Sequence, residues 1–148
     1  TAENDAPTPV VTSAGALVDG LKALGARRIA VVCPYLKPLT QLVVDYLKAE
    51  GFQVVDHIAL EIPDNLEVGR HDPQRLLEIY KRLDLKGAEA LVLSACVQMP
   101  SLPVISQVEA EVGIPVVSAA VCTTYAMLKT LGLPTVVPNA GSLLSGRY

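Results

Sequence analysis

Apolar residues recur every three to four positions in some stretches of the chain and run unbroken in others. From Ser13 to Leu24, SAGALVDGLKAL sets Leu17, Leu21 and Leu24 along one helical face. Ser13 is placed to cap that helix and Gly25 to stop it. The next segment, RRIAVVC (27–33), is a short run rich in Val and Ile, the pattern of a buried parallel strand, and Pro34 ends it. Helical spacing returns from Pro38 to Glu50 through Leu42, Val43, Tyr46 and Leu47, and Gly51 closes it. FQVVDHIALEI (52–62) predicts a second strand, followed by the polar loop PDNLEVGRHDP (63–73). Asp72-Pro73 opens a third helix that runs to Leu83.

The pattern then repeats. AEALVLSA (88–95) predicts a third strand, CVQMPSLP a loop, and Val104–Val112 a helix that Gly113 breaks. IPVVS (114–118) is a fourth short strand, and a helix from Ala119 to Leu131 carries Val121, Tyr125 and Leu128. The tail after it has no period. Its Leu133, Val136, Val137 and Leu143-Leu144 are apolar enough to need a covering surface. One helix followed by four strand–helix units defines an α/β fold, a four-stranded parallel sheet with helices on both faces. Ligands of such folds collect at the carboxyl ends of the strands. The loops there hold Cys33-Pro34-Tyr35, Asp64-Asn65 and Ser94-Ala95-Cys96.

Composition narrows the function. Of 148 residues, 51% are hydrophobic and 4% aromatic, enough for one domain with a real core. The net charge of −3, with no basic cluster, argues against a nucleic-acid partner, whose phosphates need Lys and Arg. No apolar stretch reaches membrane-spanning length, and the polar start has no signal-peptide form. That start also lacks an initiator Met, as a processed or partial chain would. Three separated cysteines in apolar segments do not make a disulfide framework, so a reducing cytoplasm is expected. With no CxxC pair and the histidines apart, no metal site is expected. Neither GxxxxGK[ST] nor GxGxxG is present, which counts against nucleotide cofactors.

Cys96 is the sharpest candidate for chemistry. It ends an apolar strand where a helix-forming segment approaches, and helix N-terminal amides favour a thiolate. A thiolate adds to electron-poor carbon. Burial as a small hydrophobe is the plain alternative. Cys33 is followed at once by Pro34 and reads as a core thiol, and Cys122 as a packed helix position. Tyr35 either covers the core or offers a hydroxyl to a substrate. Asn65 has turn-forming reasons to be where it is. Lys37 reads as an exposed helix start, and neither His57 nor His71 has a nucleophile beside it. Asp64, Glu67 and Asp72 read as solvated.

At VVCPYLKPL (31–39), EIPDNLEVG (61–69) and SACVQMPSLP (94–103) the chain resembles the maleate cis-trans isomerases of the aspartate/glutamate racemase superfamily, which also holds arylmalonate decarboxylase. SAGALVDGLKALGARRIAVV and SAAVCTTYAMLKTLGLP extend the resemblance from about residue 12 to the end. It implies two similar α/β halves, each giving one cysteine to a site between them, with this chain as the second half. By resemblance Cys96 is the second catalytic cysteine. Tyr35, Asn65 and the backbone of Val97 and Gln98 bind the substrate. Cys33 precedes the Pro-Tyr motif and does not correspond to the first cysteine. The implied organisation is a linker or extension at 1–12, the α/β domain at 13–132, and a return segment at 133–148 packing on the first half. The implied activity is cofactor-free isomerisation of maleate to fumarate by cysteine addition, bond rotation and elimination, and the implied partners are the first half, which carries the other cysteine, and a second copy in a homodimer. A racemase or decarboxylase using the same cysteine positions, and a dicarboxylate-binding domain without chemistry, are the alternatives.

Overall fold

The computed structural model describes residues 9–148, so most of the expected extension lies outside the described residues. The elements are α1 (Ser13–Ala23), β1 (Arg28–Cys33), α2 (Lys37–Ala49), β2 (Gln53–Ala59), α3 (Asn65–Arg70), α4 (Leu76–Ile79), β3 (Ala90–Ser94), α5 (Leu102–Val112), β4 (Val116–Ser118) and α6 (Ala119–Thr130). The sheet is parallel throughout, in the order β2-β1-β3-β4. Burial follows this order. From Ile29 on, β1 is buried, as are all of β3 and β4, whereas edge strand β2 has no fully buried residue. That is why β1 and β3 are continuous apolar runs while β2 carries Asp56 and His57.

Helices cover both faces. α1 packs on α6 and shares a cavity wall with α2, while α4 contacts α5 on the other side. The contact of α1 with α6 depends on Gly20, where an added Cβ would lie 2.6 Å from Cys122 Sγ and 3.1 Å from Leu143 Cδ2.

Several boundaries differ from the sequence reading. Thr12, not Ser13, caps α1, its Oγ1 accepting the Gly15 N–H at 3.1 Å. The loop 63–73 contains α3, capped by Asp64, whose Oδ1 accepts the Leu66 N–H at 2.8 Å. The third helix is one α turn, α4, between the 3₁₀ turns Pro73–Arg75 and Tyr80–Arg82. α5 starts at Leu102, with Pro103 in its first turn, where no N–H is needed.

The tail is covered only in part. Ala140, Leu143 and Leu144 are buried in this chain's own core, whereas Leu133 and Val136 are about half exposed. Glu109 of α5 holds the segment in place. Its Oε2 accepts the N–H groups of Ser142 at 3.0 Å and Val116 at 2.9 Å, and its Oε1 accepts the Ser142 hydroxyl at 2.7 Å. Among the described residues, no helix is long and apolar enough to cross a membrane.

Candidate active site

The strand order creates the site. From β1 the chain crosses through α2 to β2 on one side, and from β3 it crosses through α5 to β4 on the other. A crevice therefore opens beyond the carboxyl ends of β1 and β3, the switch point where open α/β sheets take ligands. A cavity of about 520 Å³ lies there. Tyr35 comes from the β1 exit, Leu42, Val43 and Tyr46 from α2, and Ala95, Cys96, Val97 and Gln98 from the β3 exit.

The β1 exit is held from two directions. The N–H groups of Leu60, Glu61 and Ile62 donate to the carbonyls of Cys33, Tyr35 and Pro34 at 2.8, 3.1 and 2.9 Å. Glu61 takes a left-handed backbone (φ 57°) to make this turn, strain that a non-glycine residue keeps only where its surroundings enforce it. Buried Thr40 donates its hydroxyl to the Tyr35 carbonyl at 3.3 Å. Across the crevice, the Ala95 N–H donates to the Val32 carbonyl at 3.0 Å and ties the β3 exit to β1.

This scaffold brings Cys96 and Tyr35 together. Cys96 is half-buried, and the Tyr35 hydroxyl stands beside it. Burial first, then contact with Cys96 and the nearness of both Cys96 and Cys33, push the phenol far above its ordinary range. Tyr35 therefore stays a neutral hydrogen-bond donor at physiological pH. Cys33 is fully buried, and its thiol is pushed up to about 12, mainly by burial, with Thr40 opposing and Cys96 adding. Cys122 is likewise buried, and burial raises it to about 12. Both read as the inert core thiols that their sequence positions suggest.

One expectation is not met. Cys96 does not sit on a helix N-terminus, because the bends of residues 95–99, with Pro100 and Ser101 after them, separate it from α5. In place of a helix end, the loop itself offers donors. The N–H groups of Val97 and Gln98 have no protein partner among the described residues. The Gln98 side chain is engaged elsewhere, its Nε2 donating to the Asn65 carbonyl at 3.0 Å and fastening α3 to the loop. Asn65 is exposed on the first turn of α3 and does not line the cavity. Lys37, His57 and His71 do not line it either. Asp64 and Asp72 are exposed as expected, but both are also helix caps. Glu67 is exposed and pairs with Arg70 at 3.6 Å. Sequence reading missed Thr40 and Ser94, whose hydroxyls serve backbone groups brought near only by the fold.

A parallel α/β unit with a thiol and a phenol at its switch point matches one family throughout. Residues 2–144 fit the family described as arylmalonate decarboxylase, and the chain belongs to that family. Within it, the similarity to maleate isomerases is high. The chain is 61% identical over 148 residues to the maleate isomerase of Geobacillus stearothermophilus, covering 100% of this chain and 59% of that protein. The crystal structure of a variant of the maleate isomerase Iso from Pseudomonas putida S16 with maleate superposes with a TM-score of 0.96 at 58% identity, over 99% of this chain and 59% of that one. A mutant of the Nocardia farcinica maleate cis-trans isomerase, with a covalently bound succinylcysteine intermediate, gives 0.89 at 51%, over 92% and 56%. The chain thus spans 47–59% of the length of the curated relatives it matches.

Proposed function

We propose that this chain is the part of a maleate cis-trans isomerase that carries the second catalytic cysteine, Cys96, and that the whole protein converts maleate to fumarate. The observation that carries this reading is the meeting of Cys96 and Tyr35 in a crevice whose loop leaves the amides of Val97 and Gln98 unpaired. The similarity to maleate isomerases supports the choice of substrate.

Rotation about a carbon–carbon double bond requires that it become single. A thiolate from the remainder of the protein adds to one alkene carbon of maleate, and the electron pair moves to the other. Cys96 gives that carbon its proton. The product is a succinyl group on sulfur, the species named in the N. farcinica structure. After rotation Cys96 takes the proton back, the carbon–sulfur bond breaks, and fumarate leaves. The amides of Val97 and Gln98 hold the carboxylates, with Asn65, outside the crevice but fastened to its loop through Gln98, as a further donor, and Tyr35 donates its hydroxyl to the thiol or a carboxylate. In the tail, Leu133 and Val136 are the residues that pack on the first half.

The test is Cys96→Ser in the full-length protein, assayed for fumarate from maleate. Isomerisation should fall by at least about 100-fold. Full activity in this variant would rule out the role of Cys96. Arylmalonate and aspartate, assayed in parallel for CO₂ release and racemisation, separate isomerisation from the other reactions of the superfamily.

A further inference from the structure

Ser94 ends β3 and is completely buried, yet it is polar. Its Oγ donates to the Cys96 carbonyl at 2.7 Å and lies 3.3 Å from the Met99 carbonyl. It also accepts the Cys96 N–H at 3.4 Å. A hydroxyl has one proton and two lone pairs, so it can serve all three by sharing its proton between the two carbonyls.

These contacts have a geometric consequence. The Cys96 N–H and the Cys96 carbonyl belong to the two peptide units on either side of its Cα. Each unit is planar, so holding both planes restricts the φ and ψ of Cys96 and with them the direction of its Cα–Cβ bond, from which the thiol projects. The second plane also contains the Val97 N–H. In a trans peptide the N–H points opposite to the carbonyl. Turning the Cys96 carbonyl inward to Ser94 therefore turns the Val97 N–H outward, where it has no protein partner among the described residues. One buried hydroxyl thus orients both a thiol and an anion donor.

We infer that Ser94 is a positioning residue for the site: it aims the Cys96 thiol and presents the Val97 amide to a substrate carboxylate. The catalytic part of this inference rests on the function proposed above. The first test is Ser94→Ala in the full-length protein, with Cys96 alkylation by iodoacetamide followed by peptide mass spectrometry. Buried Cys33 and Cys122 serve as internal references for folding. Alkylation of Cys96 should change severalfold while the two references stay protected. Misaiming the site by about 1 Å should lower kcat/KM for maleate about 100-fold, with KM rising as well as kcat falling. Ser94→Thr, which keeps the hydroxyl, should restore both.

A second measurement needs no variant. On titration of the native protein with succinate, an unreactive dicarboxylate, the Val97 amide resonance should shift and the Cys96 amide should stay protected from exchange. Unchanged alkylation and unchanged KM in Ser94→Ala, or a Val97 amide that ignores succinate, would overturn the inference. If alkylation changes as expected but the native protein does not convert maleate, the positioning role stands and the proposed substrate falls. If both proteins isomerise maleate equally, the substrate stands and the role of Ser94 falls.

Discussion

Gly20→Ala separates helix propensity from packing. In an isolated helix, replacing an interior glycine by alanine stabilises by about 1 kcal/mol. Gly20 lies inside α1, so propensity alone predicts a gain. The fold predicts a loss. The new methyl would sit 2.6 Å from Cys122 Sγ, and 3.1 Å from both Cys122 Cβ and Leu143 Cδ2. The first distance lies far inside van der Waals contact, and neither neighbour is free to leave, since both are fully buried. Overpacking costs about 1–3 kcal/mol, and a sulfur at this distance belongs at the upper end of that range. The net effect should be a loss of about 1–2 kcal/mol, a midpoint shift on the order of 1 M in urea. Cys122→Ala alone should cost about 1 kcal/mol for the lost sulfur contacts. In the double variant the methyl occupies the space the sulfur left, so the two losses should not add. Urea melts of all four proteins measure this coupling, which should be favourable by at least about 1 kcal/mol. A more stable Gly20→Ala protein, or strict additivity, would refute the close approach of α1, α6 and the tail.

Other outcomes follow from single contacts. Glu109→Ala leaves two backbone N–H groups and one hydroxyl without their acceptor; it should cost about 2–3 kcal/mol in a urea melt and raise proteolysis near Ser142. On the function proposed above, Tyr35→Phe in the full-length protein should lower maleate turnover about 100-fold with an unchanged melting temperature, since only a donor hydroxyl is lost. Alkaline pH should destabilise the fold. Burial holds Cys33 and Cys122 near 12, whereas unfolded thiols titrate near about 8.5, so their contribution is complete below that pH and is lost as pH rises toward 12. Tyr80 acts in the same sense, raised to about 12 by burial and by its hydrogen bond to Glu111 at 2.6 Å. Melts between about pH 8 and 11 should show a shallower pH dependence when both cysteines are replaced by alanine, with the remainder owed to Tyr80.

The sheet was legible because its central strands are apolar without interruption. Ile29–Cys33 and Ala90–Ser94 have no solvent face, and such runs cannot be hidden in a sequence. α3 was not legible, since six residues are too few to display a period and its capping Asp64 resembles any turn residue. The tail has no period because a distant carboxylate, Glu109, anchors it instead of a helical or strand face. Cys96 stood out by chemistry and by its place at a strand end, whereas Tyr35 was left open by its position and was singled out only by the family resemblance. Ser94 did not stand out, because a serine two residues before a cysteine gains meaning only when the chain curls back on it. The helix after Cys96 was legible but began two residues early, at Leu102 instead of Val104, because Pro103 fits a first helical turn as readily as a loop.

The Ala95-to-Val32 hydrogen bond that ties the β3 exit to β1 also sets a time order. Tyr35 and Cys96 lie about sixty residues apart in the chain, and only the docking of β3 on β1 brings them together. Closing a loop of that length is among the slower events of folding. The reactivity of Cys96 is therefore a clock for the refolding chain. It takes its native value when the central pair of strands has joined, and a partly folded form that lacks this pairing has no assembled thiol–phenol pair to expose.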